Sequence, residues 1–95
     1  MSWKVSIKRS AAKKAQKIQG RAQDALKLLW RELKEHGPHQ PNWPNFGKLK
    51  GRKHEWHCHL NKGRPRYVVC WRLVKGNEHE EIEIFYAWTH EDAPY

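Results

Sequence analysis

Acidic side chains are scarce in this chain: 10 Asp and Glu stand against 19 Lys and Arg, for a formal charge of +9. A small domain this basic is matched to a polyanionic partner, whether nucleic acid, ribosome, anionic membrane surface or acidic protein. Long apolar runs are missing, which excludes a transmembrane helix and removes membrane insertion from the expected roles. The opening Met1-Ser2-Trp3-Lys4-Val5 lacks the pattern of a signal peptide, so the cytoplasm is the expected compartment. Cysteine is limited to Cys58 and Cys70, without CxxC spacing, and HExxH is also absent. A disulfide is not expected, since the strand pairing argued below sets Cys58 opposite Tyr67, in keeping with a reducing compartment.

What is present is patterned. The 95 residues suit one domain spanning 1–95. Trp3, Val5 and Ile7 alternate with Lys4, Ser6 and Lys8, the period of a strand with one buried face. Ser10 fits a helix N-cap, and 11–19 favours helix. After a break at Gly20, residues 21–36 carry Ala22, Leu26, Leu29, Trp30 and Leu33 at helical spacing. Gly37-Pro38 ends that helix, because Gly accepts the left-handed cap and Pro cannot continue. Residues 39–52 read as a loop pinned by Trp43, Phe46 and Leu49. Strands follow at 54–60, 65–73 and 81–88, joined by turn-like stretches at 61–64 and 75–78. The order predicts an α+β domain, strand–helix–helix–three-strand (βααβββ), with a mainly antiparallel sheet and two helices on one face.

A tight turn at Lys62-Gly63 would pair His59 with Arg66, Cys58 with Tyr67 and His57 with Val68. A turn at Gly76-Asn77 would pair Trp71 with Ile82, Val69 with Ile84 and Tyr67 with Tyr86. One face then collects Trp56, Cys58, Tyr67, Val69, Trp71, Ile82, Ile84, Tyr86 and Trp88 for the helices. The other collects His57, His59, Arg66, Val68, Cys70, Arg72, Glu81, Glu83 and Phe85, and stays open. Arg72 and the glutamates lie toward one end of it. His59, Arg66 and the strand exit leading to His90 lie toward the other.

Two imidazoles beside a guanidinium suit RNA cleavage. That reaction deprotonates a ribose 2′-OH, stabilises a phosphorane and protonates the departing 5′-oxygen. Histidine titrates near neutrality and serves both proton transfers. Arginine is planar and always charged, and serves the phosphorane. The assignment is His59 as base, His90 as acid and Arg66 as charge stabiliser, with Lys48, Lys50, Arg52 and Arg64 on neighbouring phosphates. Tyr95 is placed to stack on a base or orient the phosphate. No metal or cofactor is required. His57 reads first as an ordinary strand position and second as an RNA contact. Lys13, Lys14, Lys17 and Arg21 read first as a solvated helix face and second as a contact with RNA or ribosome. His36, His39 and His79 read as surface residues, and the tryptophans mostly as core, with Trp43 and Trp56 the two that could serve otherwise. A zinc shell from His54, His57, Cys58 and His59 is disfavoured because His57 and His59 point away from Cys58 across the sheet. A core-facing Cys58 is likewise a poor nucleophile.

The chain resembles the RelE/ParE superfamily of bacterial type II toxin–antitoxin toxins over essentially its whole length. The residues that carry the resemblance are Phe46-Gly47-Lys48-Leu49-Lys50-Gly51, His57-Cys58-His59-Leu60, Pro65-Arg66-Tyr67-Val68-Val69-Cys70-Trp71-Arg72 and Thr89-His90-Glu91-Asp92 with the terminal Tyr95. The Cys-His step and the Thr-His-x-Asp ending are most similar to the YafQ-type branch. Two positions depart from that branch: His57 stands where it has an acidic residue, and the terminal aromatic is one residue farther from His90. The resemblance implies a toxin that enters the ribosomal A site and cuts mRNA without metal, leaving a cyclic phosphate. It also implies a cognate acidic antitoxin protein. By the same resemblance His59 and His90 are the acid–base pair, Arg66 the phosphate ligand and Tyr95 the C-terminal aromatic. The fold also serves toxins that poison DNA gyrase, which generally lack an acid–base cluster. A non-catalytic RNA-binding module is the further alternative.

Overall fold

The chain is described by a computed structural model covering residues 2–95. Its elements are β1 (Lys4–Ile7), α1 (Arg9–Ala15), α2 (Gly20–His36), β2 (Gly47–Lys48), β3 (Glu55–His59), β4 (Tyr67–Leu73) and β5 (Glu81–Thr89), with a closing 3-10 turn at His90–Asp92. The strands form one sheet in the order β1-β5-β4-β3-β2, with β1 parallel to β5 and every other pair antiparallel. The βααβββ order is therefore realised, with one addition. The two-residue edge strand β2 lies inside the segment read as loop.

The helices and one sheet face close on each other. Leu29 and Leu33 of α2 meet Cys58, Val69, Trp71, Ile82 and Ile84, and each of these is fully buried. Burying each such leucine contributes about 1.5–3 kcal/mol. The helix ends differ from expectation at α1, which begins at Arg9 after an extended Lys8, with no side-chain cap from Ser10. The Gln23 amide closes the corner between the helices, donating to Ala15 O at 2.9 Å and Ile18 O at 2.7 Å. Gly37 ends α2 at φ 88°, its N–H bonded to Leu33 O at 2.9 Å. A Cβ there would stand 2.9 Å from the indole nitrogen of Trp3, so both the backbone angle and the packing require glycine. Trp71 is tied across the core by its indole N–H, which donates to Pro38 O at 3.0 Å.

The predicted pairings are displaced. Cys58 lies opposite Val69, His57 opposite Cys70 and His59 opposite Val68, a shift of two residues from the tight-turn register. The cause is Asn61. Its side-chain oxygen accepts the Tyr67 N–H at 2.8 Å and its amide donates to Pro65 O at 3.0 Å, which builds a wider loop than a Lys62-Gly63 turn. A two-residue shift preserves the faces of β3 and β4. In β5 the faces do change. A bulge lies between the pairs Trp71↔Ile84 and Cys70↔Tyr86, so Ala87 becomes the core position and Tyr86 joins the row of His57 and Cys70. The distal face, turned away from the helices, is also less open than expected, since Val68 and Cys70 are fully buried on it.

Candidate active site

One end of the distal sheet face gathers four rings. The row Gly47, His57, Cys70, Tyr86 crosses four strands, and the next row pairs His59 with Val68. Gly47 flanks the His57 ring, and a Cβ there would meet His57 Nε2 in ordinary contact at 3.7 Å. The His57 and His59 rings are 6.5 Å apart by centroid, and His59 and His90 are 5.5 Å apart, edge to face. Tyr95 stacks on His57 at 4.3 Å and meets His90 edge-on at 6.3 Å. Backbone bonds hold the frame: His90 N–H donates to Arg66 O at 2.8 Å, and His59 N–H donates to Pro44 O at 2.8 Å. The first of these bonds draws the β5 exit against the start of β4, so His90 and Arg66 are neighbours although distant in sequence.

Burial tunes these groups. His59 is only 7% exposed, whereas His90, Arg66 and Tyr95 are exposed. Desolvation, then the nearby charges of His90, Arg66 and His57, lowers the His59 pKa below its ordinary value. Desolvation and His90 lower that of His57 in the same direction. Both shifts favour the neutral ring, the state a proton acceptor needs. The Tyr95 phenol is pushed up to about 12, chiefly by burial. It stays protonated near neutrality and is suited to stacking and hydrogen bonding rather than proton abstraction. Two hollows flank the ring cluster. One, of about 250 Å3, is lined by Gly63, Arg64, Pro65, Arg66, His90 and Glu91. The other, of about 440 Å3, lies between Lys48, Lys50 and Arg52 on one side and His57, Pro94 and Tyr95 on the other.

No family model matches the sequence, and no curated protein is detectably similar to it. Solved structures are similar. The E. coli DinJ–YafQ toxin–antitoxin complex aligns with a TM-score of 0.74 at 16% identity, over 100% of both chains. The archaeal RelE–RelB complex from Pyrococcus horikoshii OT3 aligns at 0.72 and 16%, over 98% of this chain and 100% of that one. A mutant E. coli toxin RelE in the free state aligns at 0.72 and 15%, over 98% of this chain and 88% of that one. This chain has the RelE-like fold.

Within the RelE-like fold, the predicted residues divide into two groups. His57, His59, Arg66, His90 and Tyr95 converge, with Arg64 in the first hollow and Lys48, Lys50 and Arg52 in the second. Arg52 also bonds Glu55 at 3.0 Å. Lys13 and Lys14 of α1, and Lys17 just after it, are exposed on the helix layer, which covers the opposite face of the sheet from the histidines. The structure keeps them apart from the ring cluster. His57 exceeds its first reading as an ordinary strand position, since it forms the floor under Tyr95. Trp56 is core at 3% exposure, and Trp43 packs against the core's edge. Cys58 is buried on the helix side with its thiol pKa raised by burial, as expected of an unreactive cysteine. Asn61 shapes the loop beside the site through its two side-chain bonds, a role the sequence reading does not assign it. The signal for Asn61 was its place at the head of the 61–64 stretch, where an Asn side chain can bond nearby backbone.

Proposed function

We propose that this chain is the toxin of a type II toxin–antitoxin pair, an endoribonuclease that cuts mRNA in the ribosomal A site by acid–base chemistry and so inhibits translation. The observation that carries the reading is the approach of the His59 and His90 rings to 5.5 Å, beside Arg66 and between two hollows lined by cations. His59, whose neutral form burial favours, takes the proton of the ribose 2′-OH. The 2′-oxygen bonds to phosphorus, the bond from phosphorus to the 5′-oxygen breaks, and His90 protonates the departing oxygen. The products are a 2′,3′-cyclic phosphate and a 5′-hydroxyl, so atoms balance without water, metal or cofactor. Arg66 offsets the growing negative charge on the phosphorane. Lys48, Lys50, Arg52 and Arg64 hold adjoining phosphates, and Tyr95 with His57 offers aromatic surface to a base. The antitoxin partner is an acidic cytoplasmic protein, complementary to the +9 charge.

A translation extract primed with a defined message, with cut sites mapped by primer extension, tests the proposal. The parent protein gives discrete cuts in the stalled message, and folded His59→Gln and His90→Gln proteins do not. Parent-level cutting by both variants would overturn the mechanism. Blocked gyrase supercoiling without mRNA cuts in the same extract would assign the chain to the gyrase-poisoning class instead.

A further inference from the structure

The hollow beside His90 does not end at the β3–β4 loop. Gly63, Arg64 and Pro65 form one wall of it and, on their other side, one wall of a second groove of about 540 Å3. The far wall of that groove comes from the start of α2, with Arg21, and its cations are Arg21, Lys62 and Arg64. Tyr67, half-buried, supplies an aromatic surface. None of the described residues lining the groove is acidic. Among the described residues, none of these three cations is engaged in a salt bridge, unlike Arg52 and Arg72. The loop that presents Lys62 and Arg64 is ordered by the two side-chain bonds of Asn61. The cations therefore stand on a defined rim instead of a free tail.

We propose that this groove is a second single-stranded RNA subsite. It would bind the phosphates of nucleotides beyond the scissile one as the strand passes over Arg64 toward Arg21 and Lys62. The proposal rests on the reading of the site as RNA-binding, but not on cleavage. Three cations with no bonded carboxylate would repel one another unless a polyanion or its counterions lay between them. Continuity with the His90 hollow through Arg64 favours a strand that already occupies that hollow over a separate ligand. The cationic rim and the Tyr67 ring match the two parts of a nucleotide, phosphate and base.

The test is binding of uncleavable 2′-O-methyl oligonucleotides of about four and about twelve nucleotides, one short enough to fill a single hollow and one long enough to reach both, within the roughly 4–16 nucleotide site sizes that OB-folds show on single strands. Anisotropy is read across a salt series with the parent, with Arg21→Gln/Lys62→Gln, and with Lys27→Gln/Arg31→Gln as a charge-matched control on exposed α2 positions. In the parent the longer oligonucleotide binds more tightly. In the groove variant that length advantage is lost, and the slope of log K against log salt flattens by about 1.4 for two single-strand phosphates. The control keeps both. Absence of any length advantage in the parent, an unchanged groove variant, or an equal loss in the control would overturn the subsite. So would dependence on Arg21 and Lys62 for poly-glutamate binding alone, which would assign the groove to an acidic polypeptide. Cleavage is not read here, so the groove can fail while the nuclease reading stands, and the reverse.

Discussion

Tyr95 lies nearly parallel on His57, with ring centroids 4.3 Å apart and an interplanar angle of 27°. Beneath it His57 Nδ1 is shielded from solvent without a hydrogen-bond partner. The stack thus withholds water from an imidazole whose pKa is lowered mainly by desolvation. Tyr95→Ala uncovers the ring, and the His57 titration midpoint, followed by NMR of its ring protons, rises toward the ordinary value. Tyr95→Phe retains the cover and leaves the midpoint near that of the parent. An unmoved midpoint in the alanine variant would place the source of desolvation elsewhere.

Acid should loosen the fold through the same rings. His57 and His59 both have folded pKa values below the ordinary 6.5. An unfolded chain therefore binds more protons than the folded one below that pH. Stability is full above 6.5 and declines as pH falls from there through the lowered folded values. Thermal unfolding followed by circular dichroism should show a Tm falling between neutral and mildly acidic pH. The fall should be shallower in His57→Gln/His59→Gln. Identical pH profiles for parent and variant would count against this source of acid sensitivity.

Trp71 joins the sheet to the chain after α2. It is fully buried, stacks with Phe46 at 6.1 Å and bonds Pro38 O at 3.0 Å. Trp71→Phe leaves the Pro38 carbonyl short of a donor and opens space where the indole stood. The combined cost is about 2–3 kcal/mol. Urea unfolding should show a lower midpoint with an unchanged m-value, the mark of lost stability in an otherwise intact fold. A midpoint equal to that of the parent would mean the core repacks and the indole bond contributes nothing net.

The elements were legible where periodicity was clean. Val5 and Ile7, the Leu26, Leu29 and Leu33 stripe, and the alternation through β3 and β4 all fell on the faces their spacing implies. The convergence of His59 and His90 was legible for the same reason, because alternation fixes His59 on the face away from Cys58 whichever even register the hairpin takes. The misplacements have local causes. Residues 84–88 are almost uninterruptedly apolar, so no alternation marks where the bulge moves Ala87 inward and Tyr86 outward. Asn61 acts through hydrogen bonds to Tyr67 and Pro65, which hydrophobic pattern does not encode. β2 is two residues long, too short for any period to mark.

If His59 and His90 act on the two ends of one displacement, they should fail as a unit. Each of His59→Gln and His90→Gln lowers the single-turnover cleavage rate on a programmed ribosome by roughly 10²–10⁴. The double variant should be no slower than the worse single, because once either proton transfer is lost the other has no concerted step to assist. Multiplying losses would instead mean two independent contributions, as from two residues that merely bind phosphate. Salt separates these cases further. Histidines that act as neutral base and positioned acid change the rate without changing the salt dependence of binding, whereas Lys48→Gln or Lys50→Gln weakens binding and flattens that dependence. The lowered pKa of His59 adds a pH signature. The base stays unprotonated somewhat below the ordinary 6.5, so parent cleavage should persist into mildly acidic buffer, where a base of ordinary pKa would already be largely protonated.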